Sequence, residues 1–169
     1  MKVYLAGFMS GDQLEECTSW RLKIRNNYEN WKGAGVKYPI DFLDPFNGPE
    51  IDTIKGTGLA SAGAISNAIF NGDMMSVKAC DVIVANLDNF GSTREMVGTY
   101  FELGWQTMLQ KPFILIAPKE KLELCGKHPF LNRAVGVYTS VEEMLDSKIL
   151  NFFYKRIVHA NYTIKQEAK

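Results

Sequence analysis

Apolar positions along the chain change period from segment to segment, and the changes mark out its elements. "KVYLA" (2–6) is a short β-rich apolar run closed by Gly7, which predicts a buried strand. Between Gln13 and about Trp31, Leu14, Cys17, Trp20, Leu22, Ile24, Tyr28 and Trp31 recur near helical spacing, and Gly33 and Gly35 stop the helix. "VKYPIDFLDPFNGPE" (36–50) predicts a short strand or extended piece, then a Pro/Asn/Gly-rich loop. "IDTIKGTGLASAG" (51–63) has no clear period and reads as a flexible connection. A helix from about Ala64 to Ala79 leads into "DVIVANL" (81–87), the clearest buried strand. The loop "DNFGST" (88–93) precedes a helix from Glu95 to Leu109. "PFILIAP" (112–118) and "VGVY" (135–138) complete the strands. Ser140 and Glu143 have capping-box spacing for the helix in "VEEMLDSKIL", and the polar "TIKQEAK" tail reads as frayed.

Apolar strands alternating with helices predict a parallel sheet covered on both faces. With right-handed crossovers this is a doubly wound three-layer α/β/α sandwich, Rossmann/flavodoxin-like, with a mostly parallel, about five-stranded sheet. No internal repeat, low-complexity segment or long linker divides the chain, so one domain over 1–169 is expected. Ligands of such sheets bind beyond the carboxyl ends of the strands, where strand order switches. That directs attention to the loops 7–13, 44–50 and 88–98.

Composition narrows the chemistry. Hydrophobic residues at 46% and charged residues at 22% describe an ordinary globular protein. Basic and acidic residues balance at 19 each, which argues against a surface built to coat nucleic acid. Cys17, Cys80 and Cys125 are widely spaced with no CxxC pair and read as reduced thiols. No run approaches the ~18 apolar residues of a membrane span, and "MKVYLAGF" is too short for a signal peptide. A soluble cytoplasmic protein is expected. His128 and His159 are too few and too far apart for a metal site, and His128 in "GKHPF" reads as a turn residue. The loop "AGFMSGD" lacks GxGxxG, and neither GxxxxGK[ST] nor GxSxG occurs. A receiver domain would use Asp88 but needs acidic partners after strand one, where Ala6-Gly7-Phe8 stand. No metal or cofactor is expected.

Two carboxylates remain. In "GTYFELGW", Gly98 lies one turn before Glu102 on the same helix face and leaves room for a ligand. Phe101, Trp105 and Met108 form a neighbouring apolar stripe, which sets Glu102 at a border between core and cleft. The helix dipole would favour an anion there. Spacing alone leaves open a solvated surface glutamate. Asp73 lies on the preceding helix with Met74, Val77 and Cys80 as core contacts, and alone reads as a solvated helix residue.

Taken together, "VYLAG", "IFNGDMMSVKACDVIVANLD" and "VGTYFELGWQTMLQKPFILI" resemble the nucleoside 2-deoxyribosyltransferase family in order and spacing, over about 2–10 and 65–118. Weaker resemblance runs through "HPFLNRAVGVYTSVEEML", and 13–64 carry little of it. The resemblance implies that Glu102 is the nucleophile, that Tyr4 holds and tunes it, and that Asp73 anchors a sugar hydroxyl. A carboxylate suits the first role because cleaving an N-glycosidic bond builds oxocarbenium-like charge at C1′. By the same resemblance Gly7, Phe8 and Met9 would lie against the base and Ser10 at the sugar's 5′ side.

One position departs from the family. Many members carry a base-contacting aspartate two residues before the glycine of GTxFElG, where this chain has Met96. Glu95, Asp88 or water would then activate the leaving base. Relatives that hydrolyse nucleoside 5′-monophosphates also lack that aspartate, and Ser92, Thr93 and Arg94 offer a phosphate cradle. The expected function is therefore deoxyribosyl transfer between bases through Glu102. Hydrolysis of (deoxy)nucleoside 5′-monophosphates is the alternative, and a non-catalytic nucleotide sensor is a third. Expected partners are nucleosides, nucleobases or nucleoside monophosphates, with no nucleic-acid polymer and no membrane. The family also implies a homo-oligomer with sites near subunit contacts, to which Asn132 is the nearest candidate contributor.

Overall fold

A computed structural model describes residues 1–9, 13–29, 40–45 and 59–157. Five strands, β1 (Lys2–Gly7), β2 (Asp41–Leu43), β3 (Val82–Asn86), β4 (Phe113–Ile116) and β5 (Gly136–Tyr138), form one parallel sheet in the order β2-β1-β3-β4-β5. This is a flavodoxin-like order, and its switch point lies between β1 and β3. The helices are α1 (Leu14–Glu29), α2 (Leu59–Ala79), α3 (Val97–Met108), α4 (Leu122–Lys127), α5 (Val141–Asp146) and α6 over 149–157.

The period of two along each strand sorts side chains between two cores. Tyr4, Ala6, Ile83, Ala85, Phe113 and Leu115 point to the layer of α2, α3 and α4, where Val77, Leu103 and Cys125 meet them. Val3, Leu5, Val82, Val84, Ile114 and Ile116 point the other way, to Trp20, Ile24 and Tyr28 of α1 and Met144 of α5. Each fully buried aliphatic side chain contributes roughly 1.5–3 kcal/mol, so the central strands carry much of the stability. Tyr4 sits in the middle of this apolar sheet and brings a hydroxyl into it.

Four expectations change at the level of elements. Within 51–63 the described residues begin at Leu59 and are already helical, so α2 starts a turn before Ala64. The small residues of "LASAG" hid the period there. In α1 the core stripe is Cys17, Trp20, Ile24 and Tyr28, while Leu14 and Leu22 are exposed. Trp31, Gly33, Gly35 and the frayed tail lie outside the described residues. Third, α3 starts at Val97 rather than Glu95, with Met96 as N-cap. The Ser140 cap forms, its Oγ accepting Glu143 N–H at 3.1 Å, but the Glu143 carboxylate turns to Thr139 instead, accepting from N–H and Oγ1 at 2.7 Å each. Thr139 presents both its N–H and its hydroxyl to the same carboxylate oxygen, and the charged acceptor strengthens both bonds.

Where α2 ends and β3 begins, the Lys111 ammonium donates to the carbonyls of Val77 (2.9 Å), Lys78 and Cys80 (2.6 Å). A cation there satisfies orphan helix carbonyls and complements the dipole. It fixes the chain between Asp73 and the central strand. Among the described residues no helix is long and apolar enough to cross a membrane.

Candidate active site

β1 and α3 together make the site. The register sets Tyr4 opposite Ile83 of β3 and Leu43 of β2, with its ring in the α2/α3 layer and fully buried. α3 docks on that layer through Thr99, Glu102, Leu103 and Gln106. Glu102 therefore enters the molecule, only 6% exposed. Tyr4 Oη donates to Glu102 Oε1 at 2.6 Å and lies 3.2 Å from Asp73 Oδ1 on α2. Residues 69 and 98 positions away in the chain thus meet on one phenol.

A phenol has one proton and two acceptor lone pairs. Both contacts can be hydrogen bonds only if one carboxyl keeps its own proton. The shorter contact takes the phenol proton: Tyr4 donates to Glu102 at 2.6 Å, and Asp73 Oδ1 at 3.2 Å is the weaker, competing acceptor. Burial pushes the Glu102 carboxyl up to about 8, helped by nearby Asp73 and opposed by the Tyr4 hydrogen bond and the Arg21 charge. Asp73 is also raised by burial, against the Tyr4 bond and Arg21. Burial and the two carboxylates drive the Tyr4 hydroxyl far up, so it stays protonated. The arrangement stores a carboxylate that burial destabilises, a suitable state for a nucleophile.

Two features of the α3 reading are corrected. Because the helix begins at Val97, Glu102 lies at its middle, beyond the first turn where a dipole acts strongly. Phe101 and Met108 do not border the core: they are 56% and 82% exposed, and only Trp105 packs partly inward, edge-on to Phe70 at 5.0 Å. Successive helix positions turn by about 100°, so burying Glu102 sends Phe101 outward. Gly98 is exposed, and a Cβ there would meet nothing within 4 Å, as at Gly72, Gly104 and Gly126.

The remaining predicted residues divide. Phe8 and Met96, each 4% exposed, pack with Cys17 and against Phe90 in a small apolar cluster at the carboxyl edge. Gly7 ends β1 beside Trp20, and Met9 is half-buried just past it. Ser10 lies outside the described residues. Asp88 is tied into its own turn, its Oδ1 accepting Phe90 N–H at 2.7 Å where Phe90 and Gly91 take φ of 53° and 75°. Ser92 Oγ accepts Arg94 N–H at 3.2 Å, while the Arg94 side chain, Thr93 and Glu95 are exposed. His128 caps α4 and accepts Phe130 N–H, in a turn role. An apolar cavity of about 360 Å³, lined by Tyr100, Leu103, Leu124, Phe130 and Leu131 among others, holds none of the predicted site residues.

Sequence reasoning missed a buried cation. Arg21 is 0% exposed on α1, stacked 4.4 Å from the Trp20 ring, and paired with Asp44 at 3.5 Å. Its spacing from Cys17, Ile24 and Tyr28 places it on the core stripe, a signal present in the periodicity.

A model of the nucleoside 2-deoxyribosyltransferase family matches residues 3–132. The chain belongs to that family. Among curated proteins no sequence matches. A 2-deoxyribosyltransferase from Bacillus psychrosaccharolyticus is similar in structure, with a TM-score of 0.57 and 18% identity over 85% of this chain and 90% of the other. Weaker likenesses are to a 2-desoxiribosyltransferase from Leishmania mexicana (TM-score 0.43, 23% identity, 70% and 65% covered) and to a Clostridium botulinum CMP N-glycosidase (TM-score 0.48, 16% identity, 89% and 99% covered).

Proposed function

We propose that the protein cleaves the N-glycosidic bond of 2′-deoxynucleosides and passes deoxyribose to a second base through Glu102. The observation that carries this reading is the Tyr4 hydroxyl held 2.6 Å from a buried Glu102 and 3.2 Å from Asp73. A Glu102 oxygen forms a bond to C1′ as the C1′–N bond breaks, and the bonding pair leaves with the base, which takes up a proton. Tyr4 keeps the carboxylate aimed while positive charge grows at C1′. Asp73 gives up its contact with Tyr4 to accept from a sugar hydroxyl. A ring nitrogen of the incoming base then attacks C1′, loses its proton and releases the Glu102 carboxylate. Phe8 and Met96 form the apolar bed for the base; Gly7, Met9 and Gly98 border it.

Met96 favours a second reading. Buried among apolar side chains, it supplies no proton to a leaving base. Hydrolysis of nucleoside 5′-monophosphates would suit that bed, with Ser92 and Arg94 on the phosphate and Asp88 beside them. Chromatography of deoxynucleosides and their monophosphates, with and without an acceptor base, separates the readings. A new nucleoside formed only with acceptor is the expected result. Free base from monophosphates alone, abolished by Arg94→Ala, would establish the hydrolase, and no base from any donor would leave only a sensor.

The outward face of α3 supports a homo-oligomer. Val97, Phe101, Trp105, Met108 and Phe130 line one apolar groove there, open to solvent. Light scattering on the purified protein is expected to give a mass above 19.0 kDa.

A further inference from the structure

The carbonyls of β1 alternate between its two edges. Lys2 O accepts Asp81 N–H next to β3, while Met1 O accepts Asp41 N–H on the β2 side. Odd-numbered carbonyls therefore face β2. But β2 pairs only with Lys2, Val3 and Tyr4 and ends at Leu43. Leu5 O and Gly7 O, further along the same edge, have no strand opposite them among the described residues. Arg21 fills the gap: Nε donates to Leu5 O at 3.3 Å, Nη2 to Gly7 O at 3.2 Å, and Nη1 to Cys17 O on its own helix. Asp44, the first residue after β2, closes on the guanidinium at 3.5 Å, and Arg25 approaches the other Asp44 oxygen at 3.7 Å. A planar fork of donors suits this place better than any strand residue. A Cβ on Gly7 would come within 3.3 Å of Arg21 Nη2 and 2.9 Å of the Trp20 ring, so the fit leaves no slack.

We propose that Arg21 is a positioning residue for Glu102, which both pins the tip of β1 beside the base-binding residues and balances charge in the Tyr4–Asp73–Glu102 cluster. The first half follows from the carbonyls it holds: Gly7 is followed directly by Phe8 and Met9. The second follows from position: this buried guanidinium holds the carbonyls of the strand whose Tyr4 hydroxyl bonds Glu102. Among the described residues the groups acting on the Glu102 carboxyl are Tyr4 from β1, Asp73 from α2 and Arg21 from α1. Arg21 opposes the effect of burial and Asp73 there. Around Arg21 itself stand Asp44, Cys17, Tyr4 and Glu102. Asp44 thus tempers how much positive field reaches the nucleophile, and Arg25 shares that carboxylate.

The inference rests on the reading of Glu102 as nucleophile, and its test works without turnover. Carboxyl-¹³C glutamate is incorporated, and the Glu102 signal is identified by its loss in Glu102→Gln. In the unaltered protein this signal is expected to titrate at about 8, where burial pushes the carboxyl. Arg21→Met moves the midpoint up, Arg21→Lys restores most of it, and Asp44→Asn moves it down. Removing a cation and removing its counter-charge act with opposite sign, which a purely structural role would not produce. Unmoved midpoints, or an upward shift in Asp44→Asn, overturn the proposal. If Arg21→Met does not fold, Asp44→Asn decides alone by the same criterion. With a donor nucleoside, kcat/KM of Arg21→Met at neutral pH falls on the order of tenfold, the equivalent of one charged hydrogen bond. An absence of turnover in the unaltered protein would sink the nucleophile reading and leave the titration to judge Arg21.

Discussion

Asp44 and Glu102 are both buried carboxylates within reach of β1, at 4% and 6% exposure, and they are held in opposite ways. Asp44 faces two guanidinium groups, Arg21 at 3.5 Å and Arg25 at 3.7 Å. Glu102 faces a phenol and a second carboxylate, with its cation acting only from a distance. A compensated buried charge holds a fold in register. One with no ion-paired cation in contact is raised in energy, ready to gain from a bond to an electron-poor carbon. The same molecule thus separates structure from reactivity by what it places around each carboxylate.

The largest expected effect lies on the reactive side. Glu102→Gln lowers turnover by roughly 10⁴-fold or more, the scale of losing a nucleophile, measured by base release in steady state. Tyr4→Phe keeps the ring packing and removes the 2.6 Å bond, and costs about 10- to 100-fold in kcat/KM. The acid limb of kcat/KM for the unaltered enzyme rises with pH toward a midpoint near about 8, since the free enzyme must ionise Glu102.

Stability should split the pair the other way. Burial pushes the native Glu102 carboxyl up to about 8 from an unperturbed 4.5, so between those values the native protein binds more protons than the unfolded chain. Stability then falls as pH rises through that window. Glu102→Gln removes the burden, and its melting temperature exceeds the parent's by a margin that grows from acid to pH 8. Asp44→Asn does the reverse, costing about 1–3 kcal/mol by leaving Arg21 short of its counter-charge. For a chain of this size that is about 2–4 °C in Tm per kcal/mol. Equal Tm changes in both variants would erase the distinction. The smallest effect tests a helix cap far from either carboxylate: Ser140→Ala costs about 1 kcal/mol with activity unchanged.

What was legible in the sequence follows the same division. β1, β3 and β4 show as continuous apolar runs because both faces of a central parallel strand are buried. The three-layer fold followed from their alternation with helices. Tyr4, Asp73 and Glu102 were marked by the family resemblance rather than by spacing alone, and the structure brings both carboxyls onto the Tyr4 hydroxyl. Arg21 was passed over because an arginine on an amphipathic helix ordinarily marks the wet side, and only the unpaired edge of β1 explains why this one is inside. The stripe on α3 misled for a related reason. Phe101 and Met108 are the more hydrophobic candidates for the core, yet the helix is turned to bury Glu102. Periodicity locates a face without saying which face the site requires.

Covalent capture tests the central claim most directly. The protein is incubated with a 2′-deoxynucleoside in the absence of acceptor, quenched in acid, and read by intact-mass and peptide mass spectrometry. The account predicts one added deoxyribosyl group on the peptide containing Glu102, absent in Glu102→Gln and discharged by a free base. Base release with no adduct on that peptide, or an adduct that persists in Glu102→Gln, would contradict it.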